Sequence, residues 1–280
     1  MSAQSRRIAA LLEDHADDHT LEDVLEQVKA ALKAAPTDHD IRHLYIDVLI
    51  LSGQYERADQ QCDLAAKFQP ADAVGFSILR QQIRAMAARQ AWFETGAVPD
   101  FPSGPTDLDQ MALKLGLAIR DGALDLAVDI VAQMEDARAA CPMIYNGKSV
   151  ADWRDLDDRI PHALEVLTTG GAYLWVDFRK IENVSVEPIA RSRDLAFRPA
   201  QLTLNGGAVA SVLLPAVYHS SSRNPALQLA RETAWEDLAA GLVVGQGQKC
   251  FLADDEIVSL HEVSELDADS MNGERRIVHG

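Results

Sequence analysis

Two stretches of the sequence end in the same way, 34 residues apart. Ala31 is followed five positions later by Pro36, and Ala65 is followed at the same distance by Pro70. Before each proline, apolar residues recur every three or four positions, which is the spacing of one face of an α-helix. Proline ends a helix because it lacks the backbone N–H and its ring clashes with the preceding turn. The pattern predicts short consecutive helices that repeat with a fixed period.

The helix ends are also marked. Thr20 is a candidate N-cap, and Asp23 stands three positions later, which is the arrangement of a capping box. A longer helix is predicted from Ala71 to about Ala91, followed by a proline-rich connection from Gly96 to Pro105. The earlier helical faces are Leu21–Leu32, Ile41–Leu49 and Tyr55–Ala65.

A period of 34 residues is typical of tetratricopeptide repeats, in which each unit is a pair of antiparallel helices. Gly53 and Tyr55 stand where that repeat has its tight turn and aromatic residue, and Gly122 and Leu124 repeat the turn signal. Any antiparallel helix pair can have glycine turns and alanine contacts, so a generic helical hairpin is the alternative. Because the alanine–proline endings and the turn signals fall at matching positions of the repeat, the sequence favours a tetratricopeptide-like helical domain in residues 1–145.

The sequence changes character beyond about Asn146. Asn205-Gly206-Gly207 lies between two apolar runs, and Asn-Gly supplies the positive φ angles of a tight hairpin turn. Short helices are predicted at Pro161–Leu167 and near Ala226–Ala240. Residues 146–267 are therefore predicted to form an α+β domain with an antiparallel sheet, and 268–280 a flexible tail. The predicted strands are Tyr173–Phe178, Val184–Val186, Leu202–Leu204, Val209–Leu214 and Glu256–Val263.

Charge and cysteine content restrict the class of partner and the compartment. The formal net charge is −17, without a basic stripe, so the chain is expected to repel nucleic acid and anionic membranes. The apolar run Ile8–Leu12 is too short for a signal peptide, and the longest uncharged stretch is interrupted by glycine and proline. The three cysteines, Cys62, Cys141 and Cys250, are far apart, which favours a reducing, cytoplasmic location.

Two features of the sequence suggest a metal- or nucleotide-binding site. The acidic cluster from Asp152 to Asp158 could hold a divalent cation, but the first turn of a helix, neutralised by Arg154 and Arg159, is the stronger interpretation. The glycines Gly245 and Gly247 resemble a phosphate loop, but Gln248 stands where that motif needs lysine. A metal- or nucleotide-binding enzyme using both features is the alternative function.

One segment partly resembles the site of a serine hydrolase. His219 precedes three serines, Ser220 to Ser222, but the Gly-x-Ser-x-Gly elbow of serine hydrolases is missing. We therefore expect no catalytic residues, no cofactor and no metal.

Several motifs occur in the order seen in one family: Asp155-x-Asp157-x-Arg159, Tyr173-x-Trp175, Arg193-Asp194, Arg231-x-Thr233-x-Trp235 and Gly245-x-Gly247-Gln248. On these residues the sequence resembles the ImpE family, also called TagJ or SciE, accessory proteins encoded with bacterial type VI secretion systems. Two positions depart from the family pattern: Phe197 replaces tryptophan and Lys249 replaces arginine. Lysine does not reproduce a bidentate arginine contact.

The resemblance implies a non-enzymatic, cytoplasmic adaptor of the contractile sheath. Such an adaptor would bind the N-terminal helix of the small sheath subunit TssB and would be linked to the ClpV unfoldase in sheath recycling. Homo-oligomerisation is left open. The motif residues are expected either to contact a partner or to form a buried polar network. They are Asp155, Asp157, Arg159, Tyr173, Trp175, Asp194, Arg231, Trp235, Gly245, Gly247 and Gln248.

Overall fold

The structure is a computed structural model, and it describes residues 3–13 and 20–269. Its N-terminal part consists of consecutive helices, and most of them pack against the next helix along the chain. Among the described residues, no helix is both long and apolar enough to span a membrane. The helices are α1 (Ala3–Glu13), α2 (Leu21–Ala34), α3 (His39–Leu51), α4 (Tyr55–Phe68), α5 (Ala73–Thr95), α6 (Asp107–Arg120) and α7 (Leu124–Ala137).

The helix boundaries follow the local signals of the sequence. Thr20 Oγ1 accepts a hydrogen bond from the Asp23 backbone at 3.1 Å, and Asp23 accepts one from the Thr20 backbone at 3.0 Å. This is the predicted capping box at the start of α2. Gly53 adopts φ +69° between α3 and α4, a conformation that costs glycine little. The predicted helical hairpins are confirmed.

The C-terminal part is built around an antiparallel sheet of eight strands, in the order β2-β1-β13-β6-β7-β8-β4-β5. A three-stranded sheet, β12-β11-β3, and a hairpin of β9 and β10 complete it. The strands of the first half are β1 (Met143–Tyr145), β2 (Lys148–Val150), β3 (Trp153–Asp155), β4 (Ala163–Thr168), β5 (Tyr173–Asp177) and β6 (Ile181–Val186). The others are β7 (Phe197–Leu204), β8 (Ala208–Pro215), β9 (Thr233–Ala239), β10 (Leu242–Gly247), β11 (Cys250–Ala253), β12 (Glu256–Ser259) and β13 (Glu265–Ala268).

The α+β fold and the hairpin at Asn205 are confirmed, but two predicted helices are wrong. Residues predicted as a helix at Pro161–Leu167 form strand β4, which pairs with β5 and β8. Near Ala226–Ala240, only the short helix α8 (Pro225–Gln228) forms, and β9 follows it. In both segments, pairing with neighbouring strands of the sheet outweighs the local preference of alanine and leucine for helix.

Other boundaries differ in detail. The acidic cluster lies on β3 and the loop after it, not in the first turn of a helix. The strand predicted to run to Val263 ends at Ser259, and β13 forms a separate strand. Of the predicted tail 268–280, Ala268 ends β13, and 270–280 lie outside the described residues.

The helical part and the sheet share a hydrophobic core. One cluster of buried residues joins Ile83 and Trp92 of α5 to Tyr173 and Trp175 of β5. A second cluster lies on the other face of the eight-stranded sheet and includes Trp153 of β3. Helix α5 therefore packs directly on one sheet face, and charged residues at this contact are removed from water.

Candidate functional site

A buried ion pair connects the helical part to the sheet. Arg89 projects from the buried face of α5, and its Nε and Nη2 atoms donate to Glu165 of β4 at 2.8 and 3.0 Å. Nη2 also donates to the carbonyl oxygen of Val217 at 3.1 Å. Burial alone would raise the pKa of Glu165, but the charges of Arg89 and Lys249 lower it below its ordinary value. Glu165 is therefore held ionised inside the protein.

Lys249 extends this pair into a network. Its ammonium nitrogen lies 2.5 Å from Asp155 Oδ2 and 3.0 Å from Glu165 Oε2. The Tyr218 hydroxyl donates to the other oxygen of Asp155 at 2.8 Å. Burial disfavours the charged form of Lys249, but the two carboxylates reverse this effect and raise its pKa. One lysine thus bridges two carboxylates from different strands.

A second pair lies next to the first. Arg159 binds Asp157 through Nε at 2.8 Å and through Nη2 at 2.5 Å. The backbone N–H of Gly245 donates to Asp157 Oδ2 at 3.0 Å. A Cβ atom on Gly245 would lie 2.3 Å from the ring of Tyr218, so a side chain there would displace the tyrosine. The glycine at this position allows β10 to approach the network closely.

Two aromatic residues complete the hydrogen bonding around Glu165. The Tyr173 hydroxyl donates to Glu165 Oε1 at 2.6 Å, and Trp175 Nε1 donates to the Tyr173 oxygen at 2.7 Å. The ring of Trp175 packs edge-on against that of Trp92 with centroids 4.9 Å apart. The motif residues of β5 therefore satisfy polar groups in the core.

The space inside the network is small. His219 stacks on Phe93 at 4.6 Å, and Arg159 lies 4.8 Å above the same phenyl ring. The enclosed cavity between these residues measures about 10 Å³. That volume is about the minimum that one water molecule needs, and it excludes a nucleotide. The residues around this small space order the junction of helices and sheet.

The remaining motif residues lie around the network. Asp194 accepts hydrogen bonds from the backbones of Ala190 and Arg191 at 3.0 and 2.9 Å and so orders the segment between β6 and β7. Arg231 donates to the carbonyl of Leu12 at 2.6 Å and holds the last turn of α1. Trp235 is 41% exposed.

Gly247 and Gln248 occupy the end of the β9–β10 hairpin. A Cβ atom on Gly247 would lie 2.2 Å from the Glu232 carbonyl oxygen. Gln248 donates its backbone N–H to that same oxygen at 2.8 Å. Gly245 therefore lies within β10, and Gly247, with φ +79°, ends that strand.

The acidic cluster does not assemble a metal site in the part of the chain that the structure describes. Its side chains have other partners. Asp152 accepts two hydrogen bonds from Arg138 at 2.8 Å, and Asp158 accepts one from the Val243 backbone at 2.7 Å. Asp155 and Asp157 belong to the buried network, so each carboxylate holds a neighbouring element in place.

Sequence reasoning missed Arg89. The position is detectable, because α5 places apolar Leu79, Ile83 and Met86 at helical spacing and Arg89 continues that stripe. A charged residue in an apolar stripe indicates a buried partner. The partner, Glu165, lies 76 positions away in the sequence, which spacing alone does not reveal.

A groove lies at the other end of the helical part. It is formed by α1, α3 and the segment 187–196 between β6 and β7, and we call it the α1–α3 groove. It measures about 610 Å³ and is lined by Leu12, Leu44, Ile189 and Leu195, among others. Ile189 is 46% exposed at its edge. A volume of this size is typical of pockets that take a ligand.

Charges of both signs border the groove. Asp40 and Asp47 line it from α3, and Arg191 from the facing segment. Asp47 binds Arg193 at 2.6 Å, which ties α3 to that segment. Burial raises the pKa of Asp47 although the arginine opposes this. Two motif residues order walls of the groove: Asp194 binds the backbone of the segment between β6 and β7, and Arg231 binds the backbone of α1.

Comparisons with known proteins agree with the motifs. Residues 147–267 match the family model described as ImpE protein. The type VI secretion system accessory component TagJ of Pseudomonas aeruginosa is 27% identical over 262 residues, which cover 93% of this chain and 92% of that protein. The crystal structure of protein VPA1032 from Vibrio parahaemolyticus superposes with a TM-score of 0.86 at 26% identity, covering 95% of this chain and 97% of that one. The chain is therefore similar to ImpE-family proteins, through the family model in its sheet part and through TagJ over nearly its whole length.

Proposed function

We propose that this chain is a non-enzymatic, cytoplasmic accessory protein of a bacterial type VI secretion system. It acts as an adaptor that binds the N-terminal helix of the small sheath subunit TssB and assists ClpV-linked disassembly or recycling of the sheath. The observation that carries the proposal is the similarity to TagJ over 93% of this chain. Because both proteins align over nearly their whole lengths, the similarity includes the helical part as well as the ImpE domain.

The α1–α3 groove is the surface that fits a helical partner best. An amphipathic helix binds by laying apolar residues, spaced three or four positions apart, into an apolar groove. Leu12 and Leu44 supply apolar surface from two helices, and Ile189 supplies it from the facing segment. Asp40 and Arg191 on opposite walls favour a partner helix with charged residues beside its apolar stripe.

The buried network supports an adaptor over an enzyme. A catalytic acid or base must reach a substrate within hydrogen-bond distance. Asp155 and Glu165 are 1% and 2% exposed, and both are bound to Lys249. Their carboxylates are used to join strands to α5. The alternative function is an enzyme that uses the Asp152–Asp158 cluster and the Gly245–Gly247 loop. The acids of the buried network are not accessible to a substrate of such an enzyme.

A calorimetric titration of the full chain with a synthetic TssB N-terminal helix from the same bacterium tests the proposal. Binding is expected, and Ile189→Glu should weaken it at least about tenfold, because a charge would enter the apolar edge of the groove. Val209→Glu is the matched control, since Val209 is 66% exposed on β8, away from the groove. A folded wild-type chain that does not bind the helix would contradict the partner assignment.

The link to ClpV needs its own experiment. Purified ClpV is applied to the immobilised chain with and without the TssB helix. Retention of ClpV in either condition supports a role in recycling. Retention in neither condition, with TssB still bound, would limit the function to sheath binding.

A further inference from the structure

Strand β9 has an open edge. Residues Thr233–Ala239 pair with β10 on one side, and among the described residues no strand pairs with the other side. Other sheet edges are shorter or covered. The edge of β5 is closed by Asp100, whose backbone bonds to Tyr173 and Trp175 at 2.9 and 3.1 Å. An open edge of seven residues presents unpaired N–H and C=O groups to any extended chain that reaches it.

The middle of β9 is exposed on both faces. Trp235, Glu236 and Asp237 are consecutive and all exposed, although their side chains alternate between the faces. The Trp235 ring lies 5.8 Å from that of Tyr218, at an angle of 57°. The buried tyrosine thus holds the indole in place while 41% of the residue stays accessible. A large, ordered aromatic surface lies beside the open edge.

The hairpin is rigid at its base. Val243 donates its backbone N–H to Asp158, and Gly245 donates to Asp157, so side chains close the outer edge of β10. On the hairpin itself, Gln246 donates to Glu236 at 2.6 Å. Because β10 is fixed to the buried network, β9 is ordered before any partner arrives. A preformed strand reduces the entropy lost on binding.

The negative charge of the β9–β10 hairpin indicates which kind of segment can pair with β9. Residues 232–248 contain Glu232, Glu236 and Asp237 but no lysine, arginine or histidine. Two copies of β9 that paired with each other would bring these acids together, and like charges on neighbouring strands are destabilising. A strand with basic side chains would instead place opposite charges across the new pair. The acidic edge disfavours self-association and favours a basic segment.

We propose that β9 is a second interaction surface, which receives an extended, lysine- or arginine-bearing segment of a partner protein by strand addition. Main-chain hydrogen bonds along Thr233–Ala239 provide affinity, and Glu236, Asp237 and the exposed face of Trp235 provide selectivity. The surface is formed by the sheet part and is distinct from the α1–α3 groove. It does not depend on the identity of the helical partner.

The test uses a labelled heptapeptide in which lysine alternates with valine, titrated into the full chain and followed by fluorescence anisotropy. The peptide should bind, and its binding should slow amide hydrogen exchange within 233–239. The double substitution Glu236→Lys/Asp237→Lys should weaken binding at least about tenfold through loss of charge pairing. The control Glu182→Lys/Asp255→Lys changes the net charge equally at exposed positions of β6 and the β11–β12 turn and should bind as the wild type does.

A second peptide separates strand addition from plain charge attraction. It has the same sequence with alternate backbone nitrogens methylated. It keeps its charge, but one of its edges has no N–H groups to donate to β9. Strand addition predicts that this peptide binds at least about tenfold more weakly than the first. Equal binding of both peptides, equal weakening by the two double substitutions, or absence of binding would each overturn the proposal. Dimerisation of the wild type that is lost on Glu236→Lys/Asp237→Lys would assign the edge to a second copy and also overturn it.

Discussion

Arg89 of α5 and Glu165 of β4 form a bidentate ion pair, with N–O distances of 2.8 and 3.0 Å, between the helical part and the sheet. Both residues are buried, at 6% and 2% exposure. Removing one partner of such a pair leaves a charge without compensation in the core. The pair therefore makes the packing of α5 on the sheet specific, and Glu165 serves as a structural anchor of this contact.

The substitution Arg89→Met should lower the free energy of unfolding by about 3 to 5 kcal/mol, because Glu165 would lose its bidentate partner. Urea unfolding followed by tryptophan fluorescence measures this loss. The double variant Arg89→Met/Glu165→Met should recover part of it, since neither charge is then left alone. A loss below about 1 kcal/mol for the single variant would show that the pair does not hold the junction.

The substitution Gly245→Ala should destabilise the protein by roughly 2 kcal/mol or more, because the new methyl group overlaps the Tyr218 ring. Tyr218 has little freedom to move, since it bonds to Asp155 and to the backbone of Cys250. The control is Gly75→Ala in α5, where a Cβ atom meets nothing within 4 Å and helix propensity predicts a gain of up to about 1 kcal/mol. Equal melting temperatures for the two variants would contradict the packing described.

Acidification should destabilise the protein through His219. Burial, together with the charges of Arg89 and Arg159, lowers the pKa of His219 from 6.5 to about 4. Between these values the unfolded chain binds a proton that the folded chain does not, so stability falls as the pH is lowered from about 6.5 to 4. The substitution His219→Gln should reduce this slope. The same change at exposed His39 is the control, and an unchanged slope for His219→Gln would refute the assignment.

The substitution Arg231→Ala should loosen α1 without unfolding the sheet. Arg231 is the side chain that reaches the Leu12 carbonyl, and α1 forms one wall of the α1–α3 groove. Amide hydrogen exchange should quicken within 3–13 and stay unchanged in β7 and β8. Arg223→Ala, at an exposed position before α8, should have no such effect. Uniformly faster exchange would mean that Arg231 supports the whole fold and not this wall.

Much of the fold could be predicted because its signals are local. The reciprocal bonds of Thr20 and Asp23 and the turn at Asn205 involve residues within a few positions of each other. Strand β4 could not be predicted in this way. Ala163, Leu164 and Glu165 favour helix, and they form a strand because β5 pairs with them, while β8 pairs with the end of β4.

The candidate site was predictable only in part for the same reason. The pair of Asp157 and Arg159 spans two positions and follows from the acidic cluster. Asp155 binds Lys249 and Tyr218, which lie 94 and 63 positions away from it in the sequence. Which cation neutralises which acid depends on how the sheet brings these segments together. The α1–α3 groove is likewise formed by segments far apart in the sequence.

The most direct measurement for the central claim is amide hydrogen exchange of the full chain with and without a saturating TssB N-terminal helix. A helix in the α1–α3 groove should protect α3 and the segment 187–196, while the buried network around Arg89 keeps its exchange rates. Binding with protection confined to other elements would contradict the assignment of the groove. Absence of binding would contradict the adaptor function itself.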